Sequence, residues 1–176
     1  IVRGLQGADA HYLKTAACAK HFAVHSGPEQ SRHGFDARPS LKDLHESYLP
    51  AFARLVREGV EAVMGAYNRV LGEPACGSKL LLVDILRGRW GFKGHVVSDC
   101  GAIDDFHQHH RVTANAAASA ALAVRTGCDL NCGCTYNDLV VAVRDGLITE
   151  AEIEVSLRRL LATKFKLGFL DPVERV

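Results

Sequence analysis

Two hydrophobic rhythms alternate along this chain. A short run of small and apolar residues, 15–19, leads into Lys20, His21 and Phe22 and predicts a buried strand. Residues 26–34 are turn formers and charges, a loop. From Ser40 the spacing changes. Leu41, Leu44, Tyr48, Leu49, Phe52, Leu55 and Val56 recur near the 3.6-residue period of a helix. Ser40, with Asp43 three residues on, is its predicted N-cap, Pro50 kinks or divides it, and Gly59 ends it. Residues 60–68 predict a second strand, and Ser78 caps a helix through Leu80, Leu81, Leu82, Ile85 and Leu86 to Gly88. Residues 94–98 form an apolar third strand that delivers Asp99, followed by small residues that turn the chain. Asp104 to Arg111 is a loop rich in charge and histidine. Thr113 or Asn115 leads an alanine-rich helix that Gly127 stops. Residues 128–131 are a weaker fourth strand, and 136–144 a short helix. Thr149 and Glu152 form a capping box for a last helix, with Ile153, Leu157, Leu160, Leu161 and Phe165 on one face and Gly168 and Pro172 closing it.

Strand, loop and helix thus repeat about every 30–45 residues, the pattern of βαβ units around a parallel sheet. The expected class is α/β. In such folds reactive side chains sit at the carboxyl ends of strands. Four strand ends, at Lys20-His21, Tyr67-Asn68, Asp99 and Asn131, are therefore expected on one face. An open doubly wound sheet and part of a (β/α)8 barrel both fit. A whole barrel takes about 250 residues, so four units are about half of one.

Composition narrows this picture only in places. The 176 residues are enough for one domain with a core. The chain begins at Ile1 inside what reads as structured sequence, so residues 1–176 are expected to be one partial domain of something longer. A net charge of +1 gives no pull toward nucleic acid or anionic membrane. No apolar run approaches the roughly 20 residues of a membrane span. Of six cysteines, Cys132 and Cys134 are too close together for the usual paired zinc spacing, and buried free thiols are the favoured reading. His107, His109 and His110 with Asp104 and Asp105 lack a metal-ligand spacing, so a solvated loop is expected and no metal or other cofactor. No phosphate-binding glycine motif and no nucleophile elbow is present.

Asp99 can be a nucleophile, a metal ligand or a structural acceptor. Lys20 and His21 at an earlier strand end favour its charged form and offer donors to a hydroxylated ligand. Tyr67 adds a phenol. Taken singly, His21 reads as a satisfied core histidine and Tyr67 as a core aromatic, so the weight lies in their conjunction. Glu29 and Arg32 follow in the next loop, as a surface ion pair or as substrate contacts.

Lys20-His21-Phe22, the segment from Val63 to Asn68, and Trp90 to Gly94 followed by Val96-Val97-Ser98-Asp99 resemble glycoside hydrolase family 3. The resemblance continues, in order, through Gly127 to Leu130, Gly146 to Glu150 and Arg158 to Leu161. It implies the later half of that family's N-terminal (β/α)8 barrel, without the first half or the α/β sandwich domain that follows. It implies a retaining, exo-acting β-glycosidase with Asp99 as nucleophile, Lys20 and His21 on sugar hydroxyls, and Met64 and Tyr67 lining the same pocket. The partners implied are an oligosaccharide or glycoside substrate and a C-terminal domain that supplies the acid/base glutamate. The loop after Phe22 lacks the Asp-x-His pair of the aminosugar branch. Ser26 to Glu29, Arg32-His33 and Cys100 after the acid resemble the β-xylosidase and β-glucosidase branch. A barrel-derived carbohydrate-binding or interaction module that has lost catalysis is the alternative.

Overall fold

The structure, a computed structural model, describes residues 1–25 and 27–172. Ser26, a turn former of the predicted loop, lies outside the described residues. Three parallel strands carry the fold: β1 (Cys18–Phe22), β3 (Ala62–Gly65) and β6 (His95–Ser98), paired in the order β1-β3-β6. The predicted fourth strand contributes a single parallel bridge, Leu130 to Val97. Order along the chain equals order across the sheet. A doubly wound sheet reverses its strand order at a switch point. These three strands show no reversal, the order found along an arc of barrel wall.

Alternation sorts each strand. Val63 and Val96 are fully buried against the helices, whereas Met64 and its register partner Val97 are half-buried on the opposite face. Phe22 closes β1 and packs edge-on against Phe52 at 5.0 Å and beside Trp90 at 5.9 Å. Around it gather Leu44, Leu81, Leu82, Leu86, Ile103 and Phe106, all fully buried or nearly so. A second cluster joins α5 (Ala116–Thr126), α6 (Leu139–Arg144) and Ile148.

After a short opening helix, α1 (Val2–Gln6), the helix starts follow their local chemistry. Ser40 accepts from Asp43 N at 3.0 Å, Ser78 from Leu81 N at 3.1 Å, and Asn115 from Ala118 N at 2.9 Å. Pro50 divides its helix: α2 (Leu41–Asp43) passes into a wider π turn over Leu44–Tyr48, and Pro50 then opens α3 (Pro50–Arg57), where its missing N–H costs nothing. The helix after Ser78 is also π-wound and runs past Gly88 to Arg89. Gly127 stops α5 at φ 93°, a left-handed cap. Helix α7 (Glu150–Lys166) carries the full Thr149/Glu152 capping box.

Helix α7 corrects one expectation. Leu157 and Phe165 are about half exposed, and the buried residues of the helix are Ser156 and Thr163. Polar contacts set its orientation. Thr163 Oγ1 donates to Glu61 Oε1 at 2.9 Å and meets His95 Nδ1 at 2.9 Å, while Lys166 Nζ reaches both Glu61 oxygens. Arg159 and Arg87 both bind Asp129, whose side chain is fully buried. Glu61 and His95 stand at the amino ends of β3 and β6, so this network closes the end of the sheet opposite Asp99. Gly94 permits the approach there, since a Cβ would lie 1.9 Å from Glu61 O.

The sequence pattern also missed a small second sheet. Strand β2 (Asp36–Ala37) runs parallel to β4 (Arg69–Val70), which runs antiparallel to β5 (Glu73–Pro74). It ties the segment after β1 to the segment after β3 and holds the loops of the active face together.

Candidate active site

Asp99 follows β6 directly. Its N–H donates to Gly65 O at 3.1 Å, which locks the strand end against β3. Its Oδ1 accepts from Cys100 N at 2.8 Å, and its Oδ2 lies 3.4 Å from His21 Nε2. The carboxylate side chain is 14% exposed, enough for a ligand to reach it. Burial lowers the His21 pKa, Asp99 opposes this, and His25 and Lys20 add to the lowering. At neutral pH His21 is therefore a neutral imidazole, able to donate from one ring nitrogen.

Tyr67 stands two residues beyond β3, and its hydroxyl donates to Cys100 O at 2.9 Å. Burial first, and then the charge of Asp99, raise its pKa, so it remains a phenol. Arg32 lies over its ring at 5.2 Å and His33 packs on it at 4.6 Å. Arg32 forms a short ion pair with Glu29, at the start of a single 3-10 turn over Glu29–Ser31. The fold thus brings Asp99, His21, Tyr67 and Arg32 together, and Met64 stands half-buried on β3. Glu29 is mostly exposed and serves Arg32 from outside. Lys20 lies within β1 and is exposed. Its charge reaches His21, but it makes no ion pair among the described residues.

Two cysteine and histidine expectations are corrected here. Cys100 and Cys132 form a disulfide, while Cys18 and Cys134 are exposed thiols and only Cys76 and Cys128 are buried ones. Residues 32 apart in sequence became neighbours because the Leu130 bridge lays that segment beside β6. Ser98 Oγ accepts from Cys132 N at 3.0 Å, and Gly101 N donates to Cys132 O at 2.7 Å, so the link clamps the turn that holds Asp99. Opening it is expected to lower stability by about 2–4 kcal/mol. Thermal melts with and without reductant check this: the midpoint falls on reduction, and a Cys132→Ser variant melts low in both conditions.

The histidine-rich segment is not a solvated loop. It forms α4 (Asp105–Gln108), with Asp105 and His110 buried. His33 Nδ1 lies 2.9 Å from Asp105 Oδ2, and His109 Nδ1 lies 2.7 Å from Asp105 Oδ1. Burial brings His110 down to a pKa of about 4, so it stays neutral. His25, whose ring is 4.9 Å from that of His21, is a further site neighbour the pattern did not single out. Its signal was available in the His21/His25 spacing, but only the cross-sheet geometry gives it meaning.

Fold and site together define an α/β barrel-type domain with a carboxylate, an imidazole and a phenol converging at the carboxyl ends of parallel strands. Residues 1–163 match the family model described as "Glycosyl hydrolase family 3 N terminal domain". The chain belongs to that family. It is 47% identical to a xylan 1,4-β-xylosidase of Xylanibacter ruminicola, over 97% of this chain and 20% of that protein. It is 43% identical to a probable exo-1,4-β-xylosidase of Aspergillus clavatus, over 99% of this chain and 24% of that protein. Among solved structures, a family 3 exo-β-xylosidase in complex with a xylobiose aziridine activity-based probe superposes with a TM-score of 0.92 at 33% identity, covering 97% of this chain and 23% of that one. A β-glucosidase from Listeria innocua in complex with isofagomine gives 0.86 at 34% identity, covering 97% and 25%. The chain thus spans about a fifth to a quarter of the length of these relatives.

Proposed function

We propose that the intact protein is a retaining, exo-acting β-glycosidase that removes terminal β-D-xylosyl residues, or β-D-glucosyl residues as the second choice, from oligosaccharides. The observation that carries this reading is the Asp99 carboxylate at the end of β6, with His21 Nε2 at 3.4 Å and the Tyr67 phenol bound to the next carbonyl. In the proposed reaction Asp99 attacks the anomeric carbon and the leaving oxygen takes a proton from a second carboxyl group. Water then hydrolyses the glycosyl ester, with net retention. The second group must stand about 5–5.5 Å from the first. We assign it to a glutamate of a following domain outside this chain, just as we place the first half of the barrel outside it. Lys20, His21, Met64, Tyr67 and Arg32 form the sugar pocket, and Glu29 holds Arg32. Donors on sugar hydroxyls whose bonds tighten in the transition state add several kcal/mol. The disulfide favours an oxidising compartment for the parent protein.

The test is hydrolysis by the intact protein of aryl β-D-xylosides and β-D-glucosides, followed by proton NMR of the first-formed sugar. The expected result is turnover with the β-anomer released first. First release of the α-anomer overturns the retaining assignment. Absence of turnover on both sugars, with binding retained, favours the carbohydrate-binding alternative.

A further inference from the structure

We propose that His33, Asp105 and His109 form a divalent transition-metal site of the zinc class, joining the loop after β1 to α4. Their ligand atoms, two imidazole nitrogens and one carboxylate oxygen, lie within 4.8 Å of one another. The donor set is two imidazoles and one carboxylate, which suits zinc, cobalt or nickel rather than magnesium or calcium. Zinc binds such ligands at about 2.0–2.2 Å, which places tetrahedral ligand atoms about 3.3 Å apart. His33 Nδ1 stands 2.9 Å from Asp105 Oδ2 and His109 Nδ1 2.7 Å from Asp105 Oδ1, so the two imidazoles flank one carboxylate. With all three ligand atoms within 4.8 Å of one another, the remaining adjustment is at most about 1.5 Å for any pair. Both can make it, because the His33 and His109 side chains are 38% and 49% exposed. Their rings already face one another at 5.5 Å.

Asp105 is the fixed point. Its side chain is 3% exposed and sits at the start of α4, six residues beyond Asp99, so the carboxylate needs no rearrangement. In the metal-free state each Nδ1 lies at hydrogen-bond distance from it. On binding, the Nδ1 protons move to Nε2 and the freed lone pairs take the ion, with no net proton change for neutral rings. The fourth position faces solvent and holds water. His33 belongs to the loop after β1, Asp105 opens α4 and His109 caps its end, so the ion cross-links two segments of the active face. This inference is independent of the glycosidase reading and is tested without activity.

The experiment uses the intact protein, free of any histidine tag and stripped with chelator. Zinc is titrated calorimetrically, and bound zinc is counted after desalting. Cobalt(II) supplies a visible spectrum that reports tetrahedral nitrogen and oxygen ligation. The expected result is one zinc per chain, a thermal midpoint raised by several degrees at saturation, and no response to magnesium. Affinity should fall at least tenfold in Asp105→Asn and in His109→Ala. The latter alters an exposed side chain and keeps the fold testable by circular dichroism. Cys18→Ser and Cys134→Ser, which remove the exposed thiols, should leave binding unchanged. Failure to bind zinc, binding unmoved by His109→Ala, or binding abolished by either cysteine variant would overturn the proposal.

Discussion

Replacing Asp99 with alanine in the intact protein is expected to lower turnover of an aryl β-xyloside by roughly four orders of magnitude. The residue is proposed as the covalent nucleophile, and no other carboxylate shares its place at the end of β6. Its side chain meets Cys100 N, His21 and the Tyr67 phenol at the rim of the site rather than the apolar core, so the thermal midpoint should stay near that of the parent. Two readouts separate this role from a general loss of structure. Azide added to the Asp99→Ala variant should restore turnover and give the α-glycosyl azide, because the anion attacks from the face that the carboxylate has vacated. A 2-deoxy-2-fluoro xylosyl donor should leave its mass on the peptide that contains Asp99. Label found on a different residue sinks the assignment.

Asp129→Ala is expected to cost about 3–5 kcal/mol of stability. The Asp129 side chain is completely buried and accepts from Arg87 at 2.6 Å, Arg159 at 3.0 Å and Val96 N at 2.8 Å. Removing it leaves a guanidinium that is only 15% exposed without its counter-charge. Burial already pushes the Arg87 pKa down, and Asp129 is the main group opposing that shift. A surface pair of the same chemistry, Arg158 with Glu154, gives the contrast. Both partners are more than half exposed, so Glu154→Ala should change stability by about 0.5 kcal/mol or less. Urea denaturation of the two variants side by side measures the difference. Equal effects would mean that the buried triad contributes no more than a surface pair.

The parts legible in the sequence were those that depend on near neighbours. Ser40, Ser78, Asn115 and Thr149 were readable as caps because the N–H groups they bind lie three residues on. The stop at Gly127 was readable because a left-handed cap favours glycine. The strand ends at His21 and Asp99 were readable from short apolar runs bounded by polar residues. The face of α7 was misread because the apolar period assumed an apolar partner. What that helix meets is Glu61, buried and polar, so Thr163 turns inward and Lys166 reaches back to it from the surface.

By itself, the sequence determined the α/β alternation, the helix starts at Ser40, Ser78, Asn115 and Thr149, the family and the identity of Asp99 as the residue to test. The tertiary structure decided that the sheet curves as barrel wall, that Cys100 bonds to Cys132, and that the histidine-rich segment folds back onto His33. It also decided that Arg32 covers Tyr67. The physical reason is distance along the chain. A cap or a turn closes within three or four residues, where composition dictates geometry. His33 meets Asp105 across 72 positions and Lys166 meets Glu61 across 105. Such pairings form only once the strands have set which loops share a face.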